Sequence, residues 1–133
     1  MYMRNENNSS VFGDSFVTVT GISHYYGSRP FAVGTLIRCI KEPDNEYDCF
    51  AIKCCLPYIG TVGYIANSEN TVAGGTLSAE TIYYSVPDSF FARIMFTLSG
   101  QVICRAELYN TEQLEREYLY QAIEEDNKIL CIK

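Results

Sequence analysis

The sequence has little of the chemistry on which most enzymes depend. Among its 133 residues there is no tryptophan, a single histidine (His24), and no Cys-x-x-C pair among six cysteines. Neither a glycine-rich phosphate loop nor a nucleophile–base pair is visible. A thiol or metal site built from Cys49, Cys54 and His24 is a weak hypothesis, because the cysteine spacing does not fit a zinc site. We therefore expect no enzyme activity, metal or cofactor.

Long hydrophobic runs and excess positive charge are also lacking. No apolar run approaches the ~20 residues of a membrane span, and the first ten residues lack the apolar centre of a signal peptide. These features predict a cytoplasmic protein with reduced cysteines. The net charge is −6, and the acidic excess is greatest in the last 25 residues. No basic stripe exists, so strong non-specific binding to duplex DNA is not expected.

The sequence does contain many short segments with the period of a β-strand. Their alternation and β-branched content predict a mainly β fold, a small barrel or sandwich of six to eight strands. We divide the chain into a flexible leader (1–15), the barrel (16–109), and a C-terminal helix and tail packed on it (110–133). One or two helical turns are expected after Asn67 or Ser68. The predicted strands are 16–22, 34–40, 49–55, 61–65, 81–86, 90–98 and 101–108.

The segment EPDNEYD, residues 42–48, has four carboxylates at alternate positions. An acidic catalytic site is one interpretation, but these residues lie in a turn with Pro43 and Asn45, and a titratable group needs a cleft to be a catalytic candidate. The plain alternative is a solvated turn. Asp48 is then expected to cap its own turn through a neighbouring N–H.

Two stretches of the chain resemble the HIRAN domain family. The first is Glu42-Pro43-x-Asn45-x-Tyr47-Asp48-x-x-Ala51-Ile52, followed by Val62-Gly63-Tyr64-Ile65; the second is Val19-x-Gly21-Ile22-x-x-Tyr25-Tyr26. The resemblance covers about residues 16–66 closely. It implies an OB-like β-barrel. HIRAN domains occur in DNA translocases that remodel stalled replication forks and as short free-standing bacterial proteins, which this chain resembles.

The resemblance also implies a function and a set of site residues. Eukaryotic members bind the 3′ end of single-stranded DNA, which suggests a link to DNA repair or replication-fork processing. Tyr25 and Tyr47 match the tyrosines that stack on the terminal bases, and Asp48 matches the aspartate that accepts a hydrogen bond from the terminal 3′-hydroxyl. Glu42, Asp44 and Glu46 are expected to be solvated turn residues.

Three positions differ from family members in which they are basic or more polar. His24 stands where some members have an arginine, Tyr64 matches a histidine, and Asn67 roughly matches a lysine. We retain all three as candidate nucleic-acid-binding residues. An alternative function is a protein-interaction module with weak or no DNA affinity, whose acidic helix from Asn110 binds a protein partner.

Overall fold

The computed structural model describes the backbone of residues 15–132 and the side chains of residues 15–123. The predicted leader therefore lies almost wholly outside the described residues. Six strands in the described part form a closed antiparallel barrel in the order β1-β4-β3-β2-β5-β6, with β6 pairing again with β1. The strands are β1 (Phe16–Thr20), β2 (Leu36–Lys41), β3 (Ile52–Leu56), β4 (Gly60–Ile65), β5 (Ser89–Leu98) and β6 (Gln101–Glu107).

Strand alternation places one set of side chains inside the barrel, where burial of apolar area stabilises the fold. Cys54 is fully buried while its neighbour Cys55 is only partly buried, as expected for adjacent residues of one strand. The fully buried positions are Val17, Val19, Leu36, Ile37, Cys39, Ile52, Cys54, Val62, Ala79, Ala92, Ile94, Val102 and Cys104, together with Thr18. Closure removes the exposed sheet edges that would otherwise pair with other chains. The prediction of a mainly β, OB-like barrel is thus confirmed.

Gly63 allows the end of β1 to lie close against β4. A Cβ atom at this position would come within 2.7 Å of Val19 Cγ1 and 2.9 Å of the Thr20 carbonyl oxygen. The 3₁₀ turn Ile22–His24 follows Gly21, whose φ of 73° is the left-handed conformation that glycine tolerates. This close approach places Tyr25 beside β4.

A long helix, which we label α2 (Thr111–Ile132), packs across β2 and β5. Leu114 and Tyr118 are buried against Leu36 and Phe91. The side-chain amide of Gln121 pairs with both backbone groups of Leu36, with its oxygen 2.7 Å from the Leu36 nitrogen. The helix thus both covers apolar surface and satisfies the backbone where β2 begins.

Two local predictions are wrong. The predicted strand 81–86 is helical: α1 (Ala79–Ile82) continues into the 3₁₀ turn Tyr83–Ser85, and Ser78 Oγ caps α1 by accepting from the Thr81 amide at 3.2 Å. Residues 67–75 form turns, not helix.

Candidate nucleic-acid interface

The loop between β2 and β3 is organised by one asparagine side chain. Asn45 Oδ1 accepts hydrogen bonds from the backbone amides of Tyr47, at 2.9 Å, and Asp48, at 3.0 Å. Asn45 is suited to this because its short amide reproduces a backbone turn. The result is that Tyr47 projects from the loop with its side chain 92% exposed.

Asp48 is partly buried beneath this turn, and both of its carboxylate oxygens are engaged. Oδ1 accepts from the Phe50 amide at 2.9 Å, and Oδ2 accepts from Asn67 Nδ2 at 3.0 Å. The expected capping of its own turn is therefore present. Asn67 in turn accepts from the Glu80 amide at 2.8 Å through Oδ1, so it orients Asp48 and ties the loop to α1.

Glu42 is the centre of a polar network, not the solvated turn residue that we expected. Its Oε1 accepts from Tyr64 Oη at 2.9 Å and from Asn45 Nδ2 at 3.1 Å, while Oε2 lies 3.7 Å from Lys53 Nζ. Partial burial opposes its ionisation, but these hydrogen bonds and the Lys53 charge outweigh that effect and lower the pKa of Glu42. Glu42 therefore connects the barrel wall to the loop that presents Tyr47 and Asp48.

Tyr64 lies on the outer face of the barrel between this network and Tyr25. Strand register places it beside Lys53 of β3 and Thr20 of β1. Its pKa is raised well above the usual range by burial and then by the negative charge of Glu42, with a smaller contribution from the Tyr25 hydroxyl. Tyr64 thus remains a neutral hydrogen-bond donor.

The structure brings most of the candidate residues onto one face. Asp48 and Asn67 touch directly, and Tyr25 and Tyr64 interact with each other. Tyr25 is 42% exposed. His24 is exposed at the end of its 3₁₀ turn. The face therefore contains an open tyrosine on each of two loops, with a carboxylate held beneath one of them.

Sequence reasoning missed two features beside these residues. The first is Lys53, a cation on the same face; its strand alternation points it outward, which could have identified it. The second is an aromatic cluster of Phe50, Tyr83 and Tyr84, which we call the 50/83/84 cluster. The predicted strand 81–86 does not indicate this cluster, because adjacent residues of a strand, such as Tyr83 and Tyr84, point to opposite faces.

Part of the negative charge of α2 is neutralised by ion pairs with the barrel. Arg38 is paired with Glu115, and Arg93 with Glu117 at 2.6 Å. The hydrogen bonds from Arg93 outweigh the effect of burial and lower the pKa of Glu117. The described part of the helix therefore offers a partner less free negative charge than the sequence suggests.

No group of three or more His, Cys, Asp or Glu side chains that could hold a metal ion occurs within the described residues. Cys54 is inside the barrel, whereas Cys49 is exposed on the 42–51 loop. No helix in the same part of the chain is long and apolar enough to cross a membrane.

Fold and site together define a small closed β-barrel that presents aromatic and polar side chains from its loops on one face. The model of the HIRAN domain matches residues 12–103, and the chain belongs to this family. The chain is also similar to the HIRAN domain in a crystal structure from human HLTF, with a TM-score of 0.50 and 17% identity over 82% of this chain and 88% of that one. At this identity the likeness shows the fold alone. No curated protein matches the chain. HIRAN domains are binding modules rather than catalytic ones, and membership supports a nucleic-acid-binding module.

Proposed function

We propose that this protein binds single-stranded nucleic-acid ends, preferably the 3′ ends of DNA. In this proposal Tyr25 and Tyr47 stack on the terminal bases and Asp48 accepts a hydrogen bond from the terminal 3′-hydroxyl. A role in DNA repair or replication-fork processing, and the absence of catalysis, belong to the same proposal. They rest on family membership.

The observation that carries the proposal is one ordered loop that presents an exposed Tyr47 ring next to an oriented, partly buried Asp48 carboxylate. The ring is 92% exposed while its backbone amide is fixed by Asn45 Oδ1 at 2.9 Å, so the ring has a face free for a base and a defined point of attachment. Stacking on such a ring suits any base. A preformed loop also reduces the ordering cost of binding.

Asp48 keeps the capacity to accept one more hydrogen bond. Each carboxylate oxygen has two lone pairs, and the Phe50 amide and Asn67 Nδ2 use one on each oxygen. A hydroxyl can donate to the remaining positions. A phosphate brought to the same spot would be repelled by the carboxylate charge. This difference gives a physical basis for choosing a terminal hydroxyl over a continuing strand.

Positive charge for the phosphates is sparse, and Lys53 is the cation that the structure adds to this face. Its ammonium group is held 3.7 Å from Glu42, close to Tyr64 and on the outer surface of β3. His24 is exposed on the neighbouring loop. We assign both a secondary role in holding phosphate, and Asn67 and Tyr64 supporting roles behind Asp48 and Tyr25.

The test is fluorescence anisotropy with a short labelled single strand that has either a free 3′-hydroxyl or a 3′-phosphate. Tyr47→Ala and Tyr25→Ala should each weaken binding of the free end by ~1–3 kcal/mol without unfolding the barrel. Tyr58→Ala is the matched control for Tyr47→Ala, because Tyr58 is 76% exposed but lies in the turn after β3, at the far end of that strand from the 42–51 loop. An equal loss in all three variants, or equal binding of the two ends by the wild type, would contradict the proposal.

One observation favours the alternative of a protein-interaction module. Leu119 and Ile123 of α2 are 51% and 55% exposed and, being four residues apart, they lie on the same face of the helix. In this alternative the helix binds a protein partner and the loops bind nucleic acid weakly or not at all. The same anisotropy titration separates the two functions, because the alternative predicts weak or no binding of both strands and no preference for the free end.

A further inference from the structure

Three aromatic rings pack against one another beside Asp48. The Phe50 ring lies 5.3 Å from Tyr83 and 6.2 Å from Tyr84, and the two tyrosine rings are 5.3 Å apart, measured between centroids. All three pairs are close to perpendicular, with interplanar angles of 83°, 83° and 78°. Edge-to-face pairs of this kind are favourable beyond the area that they bury.

Tyr84 is fixed by its neighbours and nevertheless open to solvent. Its side chain is 83% exposed, whereas Phe50 and Tyr83 are partly buried. Two aromatic neighbours thus restrict the Tyr84 ring while leaving most of its surface available. A rigid exposed ring of this type is suited to stacking on a planar ligand, because little side-chain freedom is lost on binding.

The cluster is joined to Asp48 by two short connections. Phe50 donates its backbone amide to Asp48 Oδ1 at 2.9 Å. Asn67, which donates to Asp48, also accepts from the amide of Glu80 at the start of the helical segment that leads to Tyr83 and Tyr84. The cluster is therefore a continuation of the surface around Asp48.

A cation accompanies the rings. Lys41 Nζ lies 4.5 Å from the centroid of the Tyr83 ring and donates to the Val86 carbonyl oxygen at 2.7 Å. An ammonium group has three N–H donors, so this contact leaves donors for a phosphate oxygen. The carboxylate of Asp88 lies close enough to act electrostatically on Tyr83. Its negative charge reduces the attraction of this site for a phosphate. We therefore give the rings the main role and Lys41 a minor one.

We propose that Tyr84, supported by Phe50 and Tyr83, is a second base-stacking site that binds a nucleotide upstream of the strand end held at Asp48. The inference rests on the proposed function, since it assumes a single strand that ends at Asp48. The ligand at this site is an unpaired base of any identity, because stacking on an aromatic ring does not select among bases.

The experiment compares short and long strands that share the same free 3′ end. Unlabelled oligothymidylates of about two and about eight nucleotides compete with a labelled strand in the anisotropy assay. The competitor of about eight nucleotides is within the site size of a small barrel. The long strand should bind the wild type more tightly than the short one. Tyr84→Ala should weaken the long strand by roughly fivefold to a hundredfold and leave the short strand unchanged.

Two variants separate stacking from other effects. Tyr84→Phe keeps the ring and should retain the affinity for the long strand. Tyr58→Ala removes a tyrosine of similar exposure, 76%, at the other end of β3 and should change neither strand. Circular dichroism of each variant verifies the fold. We expect the fold to be unchanged, because side chains this exposed contribute little to stability.

The outcomes distinguish this inference from the proposed function. If the short strand binds but length brings no gain, or Tyr84→Ala leaves both strands unchanged, the second site is refuted and the first survives. An equal loss in Tyr84→Phe and Tyr84→Ala would also refute stacking. If neither strand binds the wild type, the proposed function fails and the second site fails with it.

Discussion

Replacing the carboxylate of Asp48 by an amide should separate its two roles, capping the loop and selecting the strand end. In Asp48→Asn, the oxygen of the introduced amide can still accept from the Phe50 N–H. Its NH₂ group must then face Asn67 Nδ2, which is also a donor and stands 3.0 Å from the native oxygen. If Asn67 rotates to offer its oxygen, the Glu80 amide loses its acceptor, now at 2.8 Å. One hydrogen bond is lost in either arrangement.

The cost follows from the kind of bond that is lost. A hydrogen bond to a charged group contributes about 1.5–3 kcal/mol, and partial exposure of Asp48 favours the lower end because water can replace a partner. We expect Asp48→Asn to lower the free energy of unfolding by about 1–2 kcal/mol. In a domain of this size that corresponds to a decrease in Tm of about 3–8 °C. Urea and thermal unfolding measure both values.

A double variant supplies the control. In Asp48→Asn combined with Asn67→Asp, the introduced amide at 48 donates to the introduced carboxylate at 67, whose other oxygen accepts from the Glu80 amide. The contact between positions 48 and 67 is restored with its charge on the other residue. The double variant should therefore recover stability relative to Asp48→Asn while still lacking the carboxylate at the position proposed for the terminal hydroxyl.

Binding then tests selection of the end directly. The wild type should prefer a 3′-hydroxyl to a 3′-phosphate, and both variants should lose most of that preference, mainly because the phosphorylated end binds better without the repelling charge. A full preference in Asp48→Asn would leave Asp48 as a turn residue only. If the double variant recovers both its stability and the preference for a 3′-hydroxyl, a negative charge at position 67 is enough to select the strand end. That result would contradict the specific role of Asp48.

Three further predictions concern the fold that supports this face. Because the pKa of Glu42 is lowered in the folded protein, its charge stabilises the fold above the usual pKa of a free glutamate, and this stabilisation is lost as the pH falls through the lowered value. In Glu42→Gln the free energy of unfolding, measured by urea titration, should therefore decrease less steeply as the pH is lowered. Gly63→Ala should destabilise by about 1–3 kcal/mol because its Cβ meets backbone, whereas Gly74→Ala, with open space around it, should not. The exposed Cys49 should react with a thiol reagent in the native state, while Cys54, whose pKa burial raises, should react only after unfolding; equal rates would contradict the burial of Cys54.

The strands could be predicted because each has its signal within a few consecutive residues. Alternation located five of the six strands to within two residues of their observed bounds, and the sixth, β3, begins three residues later than predicted. The same rule failed at 81–86, where Tyr83 and Tyr84 favour a strand by propensity. The buried residues there are Ala79, Ile82 and Val86, a helical spacing, and Ser78 caps the first turn. Tertiary burial and the cap outweighed propensity.

The candidate site could be predicted only where the family resemblance names a residue. The role of Glu42 depends on strand register, which places Lys53 beside Tyr64, and on a bulge between Cys54 and Cys55 that shifts that register. No local pattern specifies either. The hydrogen bond between Asp48 and Asn67 likewise joins residues 19 positions apart. Such contacts follow from closure of the barrel and not from any segment alone.

The network around Glu42 explains how a face with so little positive charge can still be a preformed binding surface. Glu42 holds Tyr64 and Asn45 directly, and Asn45 fixes the amides of Tyr47 and Asp48. The chain thus connects the rigid wall of the barrel to the two groups proposed to contact the strand end. Affinity gained by fixing these groups in advance does not depend on salt, unlike affinity from phosphate contacts. We therefore expect the acidic residues of the 42–48 turn to act chiefly by ordering an aromatic and hydroxyl-accepting site.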